Sequence, residues 1–203
     1  MPVSPYPIDG MYDELLGFIR SVSHVKLRAL LEKMITVSDN DAANRLISIL
    51  GSGDSKKGME VINDFCKKHG YEQTHVGRMF LESNPADDNY TSSGDCSAFL
   101  RDIYKGELVC EEASGKMLDI LKGQTVRYKI PAGLPAEYSS ANKTGEMPLG
   151  YGLGCIENDI AIVFTMKGDY VLCVLSNELN GKNDEAQAFI RRISTAASEE
   201  IND

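Results

Sequence analysis

Two tripeptides in this chain carry side chains that could do chemistry together: Ser38-Asp39-Asn40 and, 105 positions later, Lys143-Thr144-Gly145. Between them they offer two hydroxyls, a carboxylate, an amide and an ammonium. Acyl transfer from an amide needs a nucleophilic hydroxyl, a group that moves its proton, donors for the oxyanion, and contacts that hold the substrate. The two tripeptides can meet the last three needs. Each is commonplace alone, since Ser-Asp-Asn is also a helix-cap sequence and Lys-Thr-Gly a strand-end. Their order, long separation and placement give them a joint meaning, with one at a helix junction and the other at the end of a strand that follows the helices.

The elements that must position them follow from hydrophobic periodicity. After a start containing Pro2, Pro5 and Pro7, the residues Leu15, Leu16, Phe18 and Ile19 predict a helix over Met11–Val22. Leu27, Leu30, Leu31, Met34 and Ile35 then form a helical stripe, with Ser23 placed as its N-cap, that runs straight into Ser38-Asp39-Asn40. A second helix follows through Leu46, Ile47 and Leu50 to Gly51, and a third over Lys56–His69 stops at Gly70. Glu72–Tyr90 loses periodicity and is too long for a simple connection, which favours a functional or lid-like loop. Ser92 or Ser93 caps a helix through Phe99, Leu100 and Ile103, and Glu111–Leu121 gives another.

The pattern then changes to strands over Tyr138–Lys143, Ile160–Met166 and Tyr170–Leu175, the last two joined as a hairpin at Lys167-Gly168-Asp169. Their near-continuous apolar runs predict burial on both faces. A closing helix over Glu185–Ile201 can cover the sheet. The expected fold is mixed α/β (α+β) in a single domain, with a helical lobe over about residues 11–122. A small antiparallel sheet under a C-terminal helix follows over about 123–203.

Composition bounds the function from another side. A chain of 203 residues with 42% hydrophobic content can bury one ordinary core. Its net charge of −9 disfavours nucleic acid and anionic membrane surfaces as partners. The five cysteines form no C-x-x-C pair, and with three histidines there is no zinc spacing, so no metal or cofactor is expected and the thiols read as reduced, mostly buried packing residues. Met1–Gly10 has no basic n-region or apolar h-region, and no stretch approaches the roughly 20 apolar residues of a membrane span. The compartment stays open.

Three segments carry a family resemblance: Met34 through Leu46 (MITVSDNDAANRL), Asn89-Tyr90-Thr91-Ser92, and Asn142-Lys143-Thr144-Gly145. They are similar to class A β-lactamases and the related D-alanyl-D-alanine peptidases, the penicillin-recognising serine hydrolases, from about Val25 onward. The resemblance implies β-lactams or acyl-D-alanine amides as small-molecule substrates. It implies that Ser38 relays a proton to the leaving nitrogen and that Asn40 binds a substrate carbonyl, with Asp39 holding the helix junction. Lys143 would present a cation near Ser38 and, with Thr144, bind the substrate carboxylate. Gly145 would let the strand approach a ligand closely, and the backbone N–H of Glu146 would supply one oxyanion donor. Arg127 and Lys129 stand either as an extra cation for the carboxylate or as solvated loop residues.

The third motif of that family, a nucleophilic Ser-x-x-Lys on a helix, lacks a counterpart. Ser140-x-x-Lys143 lies in an extended segment. Ser23-x-x-Lys26 starts the helix that ends at Ser38, which puts its hydroxyl on the order of 20 Å away, and it reads as a cap. The expectation is therefore an N-terminally incomplete serine hydrolase, a binding module that does no chemistry, or a fragment that works with its missing piece. The loop lacks the family's E-x-x-x-N pattern, and Glu82 reads as a solvated carboxylate, which points to slow acyl release. Gly150, Gly152 and Gly154 read as a strand connection and not a phosphate loop. A family sheet without its N-terminal strands should leave one edge unpaired, so self-association is expected.

Overall fold

The structure, a computed structural model, describes residues 24–147 and 155–202. The helix expected over Met11–Val22, the Ser23 cap and the connection through Gly150, Gly152 and Gly154 lie outside them. Five helices come first: α1 (His24–Thr36), α2 (Asn40–Leu50), α3 (Ser55–Lys68), α4 (Ser93–Lys105) and α5 (Glu111–Lys122). A 3-10 turn, Ile130–Gly133, leads to strands β1 (Ser139–Met147), β2 (Ile156–Phe164) and β3 (Tyr170–Val174), and α6 (Asn183–Asn202) closes the chain.

The helix starts have the chemistry that their sequences promise. Asp39 Oδ1 accepts from Ala42 N at 2.8 Å to open α2, Asp54 Oδ1 accepts from Lys56 N at 2.9 Å to open α3, and Ser92 Oγ accepts from Asp95 N at 3.1 Å to open α4. Gly106, at φ 76°, ends α4 in the left-handed region that favours glycine. The α2–α3 crossing is tight, because a Cβ on Gly58 would lie 1.9 Å from the carbonyl oxygen of Ile47.

The sheet is antiparallel in the order β1-β2-β3. β1 runs further at its end and β2 further at its start than their apolar cores suggest, pairing from Ser139↔Phe164 to Met147↔Ile156, while β2 stops at Phe164 and β3 at Val174, short of the expected Met166 and Leu175. Lys143-Thr144-Gly145 therefore lies inside a strand and not at its end, and β2 starts ahead of Ile160 with Glu157, Asn158 and Asp159. Backbone pairing favours the longer ladder even where the side chains are polar. The hairpin after β2 turns at Gly168 (φ 141°), with Thr165 N donating to Asp169 Oδ1 at 2.9 Å.

The core has two parts, one on each face of the sheet. Leu100, Ile103, Leu108, Leu121, Ala141 and Ile162 form the part shared with the helical lobe. Ile130, Ala161, Val163 and Ile190 form the part under α6. Ala141 and Ile162 belong to one cluster and Ala161 and Val163 to the other, as strand alternation requires. All five cysteines are free, but only Cys66 and Cys155 are buried; Cys96 and Cys173 are half-buried and Cys110, just ahead of α5, is exposed, so the thiols are not mostly buried as expected.

Candidate active site

Ser38 sits in a short gap between α1 and α2, where the chain must reverse. Val37 N and Asp39 N both turn back to the Lys33 carbonyl, at 3.3 and 3.2 Å, and Ser38 takes φ 56°. A left-handed serine costs conformational energy, and here the cap formed by Asp39 and the closing bonds to Lys33 hold it. Asp39 thus does what a helix-junction carboxylate should.

Lys143 reaches Ser38 from β1. Its Nζ donates to Ser38 Oγ at 2.7 Å and to the Thr144 carbonyl at 2.5 Å. Burial pulls the ammonium below the ordinary lysine value, the neighbouring carboxylates Glu146 and Asp159 push it back up, and Lys129 adds to the lowering. A proton held less tightly than in free lysine, against a hydroxyl, is an arrangement that can relay protons.

The other expected contacts fall on either side of this pair. Asn40 opens α2, half-buried, and its amide makes no hydrogen bond among the described residues. Thr144 is buried, and its hydroxyl has no hydrogen-bond partner among the described residues. Gly145 keeps an ordinary distance from the next strand, since a Cβ there would lie 3.6 Å from Asn158 Cβ. The cross-strand neighbour therefore does not require a glycine.

Lys129 corrects the sequence reading. Its side chain is 0% exposed and ion-paired at 2.7 Å to both Glu146 and Glu157, and it also donates to the carbonyl of Asn158 at 3.0 Å. It is neither a solvated loop residue nor a free cation for a ligand. Glu146 alternates with Lys143 along β1, so the pair lies on the opposite face of the strand. An ammonium saturated by two carboxylates and a carbonyl has no donor left to offer. Arg127 is exposed and donates to Ser140 Oγ at 3.0 Å, which ties down the start of β1; it makes no hydrogen bond to Ser38 or Lys143 among the described residues.

Sequence reasoning missed the ionic layer around Lys129. Burial alone would raise the Glu157 carboxyl, but donation from Lys129, Asn183 and Gln187 holds it below its ordinary value. Asp159, fully buried, accepts from Ile130 N at 2.9 Å and Asn142 Nδ2 at 3.1 Å, and burial pushes it up to about 6. The available signal was the polar run Glu157-Asn158-Asp159 directly ahead of an apolar strand.

Also missed was Asn44, which lies one helical turn beyond Asn40 on the same face. Its Oδ1 accepts from Phe80 N at 2.8 Å, and its Nδ2 donates to Phe80 O at 3.1 Å. The long loop is thereby fastened to the helix that begins at the site. At the loop's neck His75 and Tyr90 exchange backbone bonds of 2.9 and 3.1 Å, and Asn89 Oδ1 accepts from Gly77 N and Arg78 N at 3.0 Å each. The expected lid-like loop is thus tied at its neck and at Phe80. Glu82 is exposed, as expected.

A groove of about 760 Å³ opens between α1 and α2, with Leu30 and Ile49 in its walls and Asp41 and Asn44 along its rim. Ser38 and Lys143 do not line it. Among the described residues no group of three or more His, Cys, Asp or Glu could hold a metal ion, and no helix is long and apolar enough to cross a membrane.

The chain is similar to known proteins along most of its length. The model of the beta-lactamase enzyme family matches residues 12–201. Beta-lactamase FAR-1 of Nocardia farcinica is 28% identical over 151 residues, covering 72% of this chain and 45% of the relative. Beta-lactamase AST-1 of Nocardia asteroides is 29% identical over 161 residues, covering 75% and 47%. An ancestral class A beta-lactamase superposes with TM-score 0.73 at 28% identity, over 86% of this chain and 65% of its own. PBP-A does so with TM-score 0.71 at 23% identity, over 87% and 61%, a likeness of fold alone. A point mutant of PBP-A, an acyl-enzyme complex with penicillin G, gives 0.72 at 26% identity, over 87% and 61%. The chain spans about half the length of the curated relatives and under two thirds of the solved ones.

Proposed function

The chain belongs to the beta-lactamase enzyme family, and from that premise we propose that Ser38 and Lys143 form the proton-relay half of a site for β-lactams or acyl-D-alanine amides. The observation that carries this reading is the 2.7 Å bond from Lys143 Nζ to Ser38 Oγ, made between residues 105 positions apart. In the proposed reaction a serine attacks the amide carbonyl, its proton passes through Ser38 to the leaving nitrogen, the C–N bond breaks and an ester forms. Lys143 and the unpartnered Thr144 hydroxyl hold the substrate carboxylate, Asn40 binds the substrate's side-chain carbonyl, and the N–H of Glu146 faces the oxyanion beside the glycine at 145. Lys129 has no part in it, and Arg127 contributes only charge at a distance.

A second reading, binding without chemistry, draws support from one feature. Among the described residues, the one serine with a lysine three positions later is Ser140, and in β1 positions three apart point to opposite faces. Its hydroxyl already accepts from Arg127.

The test is saturation-transfer NMR with penicillin G, paired with the intact mass of the chain after incubation. Transfer to the drug from wild type, lost in Lys143→Ala, is the expected result. A wild type that gives no transfer would sink both readings. A mass gain of one drug molecule would establish a competent nucleophile within the chain and favour the first.

A further inference from the structure

The polar layer behind β1 reaches both residues of the candidate site. We propose that Asp159 is a positioning residue for that site: its ionised carboxylate holds Asn142, and through Asn142 and residues 124–126 it sets Lys143 against Ser38, a hold that a proton on Asp159 releases. Asp159 stands opposite Thr144 in the β1–β2 ladder and reaches diagonally to Asn142, so the strand is held on either side of Lys143. Asn142 Nδ2 donates to Asp159 Oδ1 at 3.1 Å and to the Val126 carbonyl at 3.3 Å. Just before Val126, Thr125 N and Oγ1 donate to the Thr36 carbonyl at 2.9 and 2.7 Å, and Gln124 Nε2 donates to the Ile35 carbonyl. Thr36 ends α1, and Ser38 follows it by two residues. One side-chain amide thus joins the strand that carries Lys143 to the helix end that carries Ser38.

A proton cannot enter this arrangement without changing it. Both oxygens of Asp159 accept from N–H groups, Oδ1 from Asn142 and Oδ2 from Ile130 N at 2.9 Å, and a carboxylic acid must donate through one of them. The Ile130 N–H is fixed in the backbone. Asn142 can instead turn its amide over and present Oδ1, which is buried and has no hydrogen-bond partner among the described residues. The turned amide accepts from the Asp159 hydroxyl but takes Nδ2 away from the Val126 carbonyl, and the link to residues 124–126 is lost.

Burial brings that proton into an accessible range, since it pushes Asp159 up to about 6. The bonds from Asn142 and Ile130 and the charge of Lys129 favour the ionised form, and Glu146 opposes it. Glu157, beside it in β2, is compensated by Lys129, Asn183 and Gln187, and Arg191 of α6 is committed to the Tyr128 carbonyl at 3.0 Å. Tyr128 and Cys173, pushed up mainly by burial to about 12 and about 11, stay neutral where Asp159 titrates. Lys143, on the other face of β1, is raised by the Asp159 charge, so the two groups also communicate through the field.

The binding arm of the test rests on the reading of Ser38 and Lys143 as a penicillin site; the amide arm needs no ligand. The dissociation constant of penicillin G, whose carboxylate stays ionised above about pH 5, should rise about threefold or more as pH falls through about 6. Asp159→Asn can accept from Ile130 N and donate to Asn142 as the acid would, so it should show the weaker constant throughout, without the inflection. In the wild type, with no mutation, the side-chain amide nitrogen resonance of Asn142 should shift with the same midpoint as the Asp159 carboxyl carbon. An acid limb that persists in Asp159→Asn belongs to another group, such as a histidine, and would overturn the proposal. An Asn142 amide unmoved while Asp159 titrates would also overturn it, as would an Asp159 midpoint at the ordinary 3.8. A wild type that binds no penicillin at any pH would sink the reading of the site, and the Asn142 resonance would then decide whether Asp159 works this switch. The same resonance decides if Asp159→Asn fails to fold.

Discussion

Lys143 joins a strand to a helix junction through one ammonium, and its lowered proton affinity has a measurable consequence. The Lys143 Cε resonance, followed by NMR, should titrate with a midpoint below the ordinary lysine value of 10.5, because burial penalises the charged form. The sign for stability is the reverse of an ordinary lysine ion pair: below the folded midpoint the charged amine costs stability. The cost is relieved as pH rises from that midpoint to the unfolded value. A midpoint at or above 10.5 would refute the assignment. Lys129 is buried between two carboxylates, Glu146 and Glu157. Lys129→Met leaves Glu157 buried without its cation and should cost roughly 3–5 kcal/mol in urea denaturation, and removing Glu157 as well should recover much of the loss. If the double variant is no better than the single, the pair is not what sustains that layer.

At the level of elements, close approach and capping decide where the site residues lie. The start of α2 is fixed by Asp39 and its flank by α3, which crosses at Gly58 with no room for a methyl group. Gly58→Ala should destabilise by about 2 kcal/mol or more, since the obstacle is backbone and cannot move aside. Gly115, inside α5, is the counter-case, because a Cβ there meets nothing within 4 Å. Gly115→Ala should stabilise by roughly 0.5–1 kcal/mol through helix propensity. Opposite shifts of the two thermal midpoints are expected; a shared sign would mean that one of these environments is misjudged.

For the whole molecule, charge acts at long range. Each copy carries −9, so two copies repel. Salt screens that repulsion over about 10 Å at roughly 0.1 M. The second virial coefficient from light scattering should therefore fall as salt rises, and a coefficient indifferent to salt would show that net charge does not govern the interaction between copies. The same acidic balance disfavours a polyanion as partner.

The sequence by itself determined the local elements around the site and the identity of its two motifs. The stripe ending at Ser38, the glycine closing α2, the serine cap of α4 and the hairpin at Gly168 are encoded within a few residues, where periodicity, caps and turns act. Long-range pairing was not legible there. The extension of β1 through Gly145, the burial of Lys129 between Glu146 and Glu157, the shifted Asp159, and the fastening of Phe80 by Asn44 each depend on segments distant in the chain. Only the assembled sheet and lobe decide whether a lysine faces water or two carboxylates. The resemblance implied a Lys143 cation near Ser38, and the tertiary structure makes the contact itself, because it is set by how a nine-residue strand packs against a helix junction.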